Sequence, residues 1–125
     1  LCNTAAQLKR ICDLADHSHV KAMFDTHHGN IEEKSFTAAL DMLAPHLRHV
    51  HICENDRGTP GSGHVPFGEV FAKLRALDYS GWLTIEAFTR SDIEFANAIN
   101  VWREYSAPWD IAEQGHAFIR KHLEV

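Results

Sequence analysis

Five side chains in this 125-residue sequence have the types and the spacing to do chemistry together. Asp25, His51 and Glu86 each close a short apolar or alternating stretch, and they stand 26 and 35 residues apart, about one strand-plus-helix unit each. Two carboxylates and one imidazole, delivered at successive strand ends, suit a hard or borderline divalent cation such as Mn2+, Mg2+ or Co2+. No cysteine occupies an equivalent strand end, which weighs against a structural zinc site. His28, three residues after Asp25, and Arg57, six after His51, add groups able to hold a substrate. An arginine keeps its charge and offers a fixed fork of donors to a hydroxyl or an oxyanion.

Taken singly, most of these residues have an ordinary explanation. Asp25 could cap the turn that follows it, and His51 could be a satisfied core histidine. Arg57 could pair with Asp56 or Glu54 inside its own loop. Glu86 follows an apolar strand and precedes Ala87-Phe88, which makes a solvated surface charge a poor description of it. The specific signal is the coincidence of Asp25, His51 and Glu86 at matching places in successive units.

The elements that position them follow from patterning. Asn3 or Thr4 can cap a first helix, Thr4-Ala5-Ala6-Gln7 matching a capping box, and Leu8, Ile11, Cys12 and Ala15 give a helical apolar face that ends near Asp16. Val20 to Phe24 reads as a strand stopping at Asp25, followed by a polar turn, Thr26-His27-His28-Gly29-Asn30. Ile31-Glu32-Glu33 is expected to lead into a second helix with a core face of Phe36, Leu40 and Leu43, closed by Pro45. Leu47 to Ile52 reads as the second strand and opens into the Gly/Pro loop from Cys53 to His64. Phe67, Val70, Phe71, Leu74 and Leu77 form the clearest amphipathic helix. Tyr79-Ser80-Gly81 turns into a third strand, Trp82 to Glu86. Two helices finish the chain, one carrying Ile93, Ala96, Ile99 and Trp102 and one carrying Ile111, Phe118 and Ile119, with Pro108 between them. Alternation of strands and helices through short connections predicts a parallel sheet with right-handed crossovers.

Composition bounds the function classes. The chain is 45% hydrophobic and 23% charged, as in ordinary globular domains, and carries no apolar run approaching the roughly 20 residues that span a bilayer. No membrane partner is expected. A net charge of −5 without a basic stripe argues against nucleic acid as a partner. Cys2, Cys12 and Cys53 are odd in number and share no metal-type spacing, so reduced thiols in a cytoplasmic setting are expected. The abrupt opening at Leu1 suggests a truncated N-terminus.

The segments Asp25 to Glu33, His49 to His64 and Thr84 to Phe88 resemble the sugar phosphate isomerase/epimerase family, a group of xylose isomerase-like TIM barrels. Within it they are most similar to the ketose 3-epimerases of the tagatose and psicose (allulose) type, and the resemblance covers nearly the whole chain. It implies an α/β fold in which residues 1–125 are a single domain, the C-terminal portion of a (β/α)8 barrel with about three βα units and a terminal helix. The implied activity is metal-dependent epimerisation of a ketose at C3 through an enediolate, on a small-molecule sugar substrate. The implied cofactor is a divalent ion, most commonly Mn2+, held by Glu, Asp, His and Glu from four successive strand ends.

Asp25, His51 and Glu86 match the last three of those ligands, and Glu86 doubles as one of a pair of acid/base groups. His28 and Arg57 match residues that contact the ketose. The first metal-binding glutamate and a further substrate-binding glutamate are expected ahead of Leu1. The resemblance also implies a homo-oligomer.

Other reactions share the same enolising platform: aldose–ketose isomerisation, hydroxypyruvate isomerisation and inosose dehydration. Apurinic endonucleases share the barrel, but they need a multi-metal cluster and a basic DNA surface, which net −5 and one ligand per strand end oppose. A non-catalytic fragment retaining the family residues is a further alternative. The sequence departs from the family at His27, where phenylalanine is usual, and at Gly29, which is small; both are expected to alter the wall of the sugar site. His49 is expected to point away from His51, as a structural residue. Three strands cannot close a barrel, so their inner faces should be open and the isolated 125-residue chain should lack epimerase activity.

Overall fold

Three parallel strands in the order β1-β2-β3 carry the site: β1 (Ala22–Asp25), β2 (Leu47–Ile52) and β3 (Trp82–Ile85). A computed structural model describes residues 2–104 and 106–123; Leu1, expected to open a truncated chain, lies outside the described residues. The helices are α1 (Ala5–Ala15), α2 (Thr26–Glu32), α3 (Phe36–Leu43), α4 (Phe67–Ala76), α5 (Ile93–Ala98) and α6 (Pro108–Leu123). None of them is long and apolar enough to cross a membrane.

Local chemistry sets the boundaries. Thr4 caps α1: its hydroxyl accepts from the Gln7 N–H while the Gln7 side chain reaches back to the cap, the reciprocal arrangement the sequence predicts. Asp16 ends the helix in the left-handed region, with φ 40°. The apolar face is narrower than expected, because Ala5 and Cys12 are buried while Ile11 and Ala15 are exposed. Ser35 caps α3, whose Phe36, Ala39, Leu40 and Leu43 are all buried. Pro108 is the first residue of α6 rather than a spacer before it, a place where its missing N–H goes unneeded.

One element differs in kind. The polar run after Asp25 is α2, not a turn, and Asp25 caps it by accepting from the His28 N–H at 2.9 Å. Periodicity is silent there because α2 buries only Thr26 and Gly29. A Cβ at Gly29 would meet the Phe24 ring at 2.7 Å and the Phe36 ring at 3.3 Å, so helix–sheet packing sets the size of this residue.

The two sheet faces have opposite fates. Phe24, Val50 and Ile52, with Leu83 and Ile85, pack against Leu40, Leu43, Val70, Phe71 and Leu74. Helices α1, α3 and α4 lie side by side over that face, and α6 closes it beyond β3. The other face is open: Met23 is 47% and Trp82 76% exposed, as expected for a sheet too small to close on itself. Ala22 lies opposite Leu47 but Met23 lies opposite His49, so β2 accommodates one extra residue, Arg48. That bulge lets Leu47 join the buried core while His49 follows on the open face.

Candidate metal and substrate site

Register brings the expected ligands together. Asp25 pairs with His51 and His51 with Thr84, so Glu86, two residues on, projects from the same face. The Glu86 N–H donates to the Ile52 carbonyl at 3.2 Å and continues the ladder past β3. His51 Nδ1 stands 3.3 Å from Asp25 Oδ2 and 3.5 Å from Glu86 Oε1. One ligand atom from each of the three lies within 4.8 Å of the others, and among the described residues they are the one such grouping of His, Cys, Asp and Glu. Two carboxylates and an imidazole form a donor set suited to a divalent cation.

Asp25 divides its oxygens: Oδ1 caps α2 and Oδ2 faces His51. Burial is the largest single influence on its carboxyl and acts to raise its pKa. The His28 N–H, the contact with Glu86 and the neighbouring His28 and Arg57 together outweigh burial and hold the group below the ordinary carboxylate range.

Arg57 arrives from the loop after β2. Its Nη1 donates to Glu86 Oε2 at 2.5 Å and to Cys53 Sγ at 3.4 Å, and its Nη2 lies 3.3 Å from His28 Nε2. Its guanidinium stands 5.5 Å above the Phe88 ring centroid. The expected loop partners, Asp56 and Glu54, are engaged elsewhere: Asp56 accepts from the Gly58 N–H, and Glu54 accepts from loop amides. Arg57 Nε is buried without a partner, a donor held out of water. His28 is exposed at the rim. The five residues singled out by the sequence therefore form one constellation.

Three neighbours were misplaced or missed by sequence reasoning. His49 shares the open face with His51, their rings 5.0 Å apart, and its Nε2 meets Thr84 Oγ1 at 2.8 Å; it does not point away. Residues two apart on a strand share a face, and that rule was the available signal. Thr26, fully buried, accepts from the Cys53 N–H at 2.8 Å and donates to the Cys53 carbonyl at 2.6 Å, stitching α2 to the end of β2. Between them His27, which the sequence reading did single out, lies against the Glu54 carbonyl, 3.1 Å from Nδ1, and burial, then the charge of Arg57, lower its pKa. Glu54 is the third of the misplaced or missed residues, a carboxylate with 0% exposure. A cavity of about 170 Å³, lined in part by Cys2, Leu8, Phe24, Asp25 and His28, opens beside the ligand set.

Comparison with known proteins follows the same lines. A family model described as a xylose isomerase-like TIM barrel matches residues 1–122. The chain is 38% identical over 120 residues to a probable ketose 3-epimerase of Synechocystis sp., covering 95% of this chain and 42% of that protein. It is 38% identical over 111 residues to a D-psicose 3-epimerase of Agrobacterium fabrum, covering 89% of this chain and 38% of that one. Among solved structures it is similar to a D-allulose 3-epimerase from Methylomonas sp. in complex with D-allulose, with a TM-score of 0.88 and 32% identity over 96% of this chain and 43% of that chain. The chain thus spans about two fifths of the length of the curated relatives it matches.

Proposed function

We propose that the protein to which these residues contribute epimerises a ketose at C3, on the premise that the chain belongs to the xylose isomerase-like TIM barrel family. The observation that carries this reading is the convergence of Asp25, His51 and Glu86 to ligand distance, with Arg57 and His28 at the rim. Asp25, His51 and Glu86 would hold a divalent cation, Mn2+ by preference and Mg2+ or Co2+ as substitutes. When bound, such a cation stabilises the negative charge that develops on adjacent sugar oxygens as carbon loses a proton.

The remaining work falls to side chains. Glu86 is the acid/base group: one oxygen faces the ligand set and the other is held by Arg57, which aims the carboxylate. Arg57 and His28 bind and orient the sugar oxygens, and the buried, unpartnered Nε of Arg57 is a donor with capacity to spare. His27, whose pKa is lowered by burial and by the charge of Arg57, forms part of the loop wall behind them.

Inversion at C3 needs a second acid/base group on the opposite face of the sugar. Asp25 is committed to its cap and to His51, so that group comes from a strand outside these residues, together with a fourth metal ligand. The same strands would cover the open inner face. The 125-residue chain alone is therefore inactive. The test is to supply the full-length protein and Mn2+ with fructose, tagatose, ribulose and hydroxypyruvate in parallel. Conversion of at least one ketose to its C3 epimer is expected; conversion of hydroxypyruvate with no ketose epimerised contradicts the reading.

A further inference from the structure

We propose that Glu54 is a positioning residue for Arg57: its buried carboxylate winds the loop after β2 around itself and fixes the guanidinium over the candidate site. The proposal rests on the reading of Arg57 as the group that holds the sugar. Glu54 follows β2 by two residues and has 0% exposure. A carboxylate taken out of water is costly unless its lone pairs are filled. Here they are filled by the loop's own backbone: Oε1 accepts from the Gly61 N–H at 2.9 Å, and Oε2 from the Asn55 and Val65 N–H groups at 3.2 and 3.3 Å. One side chain thus gathers residues 55, 61 and 65.

The wrapping is tight enough to dictate sequence. A Cβ at Gly63 would meet Glu54 Oε2 at 2.4 Å and Asn55 Oδ1 at 2.2 Å, and Asn55 Oδ1 in turn accepts from the His64 N–H at 2.9 Å. Arg57 sits inside this winding at φ 68°, a left-handed conformation in which a residue bearing a Cβ persists only when its surroundings impose it. Its N–H donates to the Glu54 carbonyl at 3.1 Å, and its own carbonyl accepts from the Phe88 N–H at 2.8 Å. The backbone of Arg57 is therefore held on both sides, by the loop that Glu54 organises and by the segment after β3. From that fixed point the guanidinium reaches Glu86, Cys53 and His28.

The experiment compares wild type with Glu54→Gln in the full-length protein. Glutamine keeps the size but presents one acceptor oxygen, and its NH2 group meets backbone donors. The first readout is NMR of the Arg57 side-chain Nε–H, assigned by its loss in Arg57→Met. We expect its exchange with water to accelerate roughly tenfold in Glu54→Gln, with the β2 amides of Val50 and His51 unchanged. The second readout is kinetic. Ketose kcat/KM should fall about 10- to 100-fold, mainly through KM, and Glu54→Gln should add no further loss in an Arg57→Met background.

Gly63→Ala displaces the carboxylate without removing it and should reproduce the change at Arg57. Unchanged Arg57 exchange in both variants would overturn the proposal. So would parallel loss of protection across β2, or additive losses in the Arg57→Met background. If the full-length protein turns over no ketose, the functional reading fails, and the NMR comparison still decides whether Glu54 places Arg57.

Discussion

Asp25 shows why single residues are poor witnesses and their combination a good one. Its ordinary explanation, a cap, is realised on one oxygen, while the other faces His51, where the proposed cation would be held. Arg57 resolves differently, since it bypasses its loop neighbours and reaches across to Glu86. Glu86→Gln keeps the shape while removing the base, and kcat should fall by about 10²–10⁴ in a ketose turnover assay. Arg57→Lys keeps the charge and loses the fork; a raised KM with unchanged Mn2+ affinity by calorimetry is the expected result. Cys53 gives a pH prediction. Burial raises its thiol from an ordinary 9.0 to about 12, so the folded chain keeps a proton that the unfolded chain loses first. The stability contributed by this group is complete below pH 9 and declines as pH rises from there toward 12. Urea unfolding on either side of pH 9 should show that loss, and Cys53→Ala should flatten its share of the slope. Asp25, His51 and Glu86 were legible because strand ends recur at regular intervals. Glu54 was not, because a carboxylate bonded to backbone amides leaves no mark in residue spacing.

At the level of elements, legibility followed apolar patterning. Helix α4 and strand β2 match their expected extents closely because Phe67, Val70, Phe71 and Leu74 repeat at helical spacing and Val50 and Ile52 alternate with polar neighbours. Helix α2 went unread because its sequence, Thr26 to Glu32, is almost wholly polar and its start is signalled by Asp25, a cap that sequence reading weighs chiefly as a candidate ligand. The misplacement of His49 came from neglect of the two-residue repeat, not from the bulge at Arg48, which acts on Leu47. Two substitutions separate the layers energetically. Thr4→Ala should cost about 1 kcal/mol by removing one half of a capping box. Leu40→Ala, at a position with 0% exposure beneath the sheet, should cost about 2–5 kcal/mol. Thermal or denaturant unfolding measures both.

For the whole molecule, the telling feature is the difference between the sheet's two faces. One is sealed by α1, α3, α4 and α6, while the other presents Met23, His49, Trp82 and Thr84 around the ligand set. Alternation of elements was enough to predict a parallel sheet; the partial barrel was implied by the family resemblance. What lies against the open face is not written in these residues. On the reading proposed here it is the rest of the barrel, and this makes Trp82 informative. Trp82→Ala should cost the isolated chain about 0.5 kcal/mol or less, since the residue is 76% exposed, but the full-length protein about 3–5 kcal/mol once the ring is enclosed. Equal, small costs in both would mean that the face stays open.

The most direct test of Asp25, His51 and Glu86 as the centre of a C3 epimerase is NMR of a ketose incubated with the full-length protein and Mn2+ in D2O. Deuterium should enter at C3 as the C3 epimer accumulates, and Asp25→Asn or His51→Ala should abolish both. Every tested ketose recovered without deuterium at C3, or exchange that persists undiminished in those variants, would contradict it.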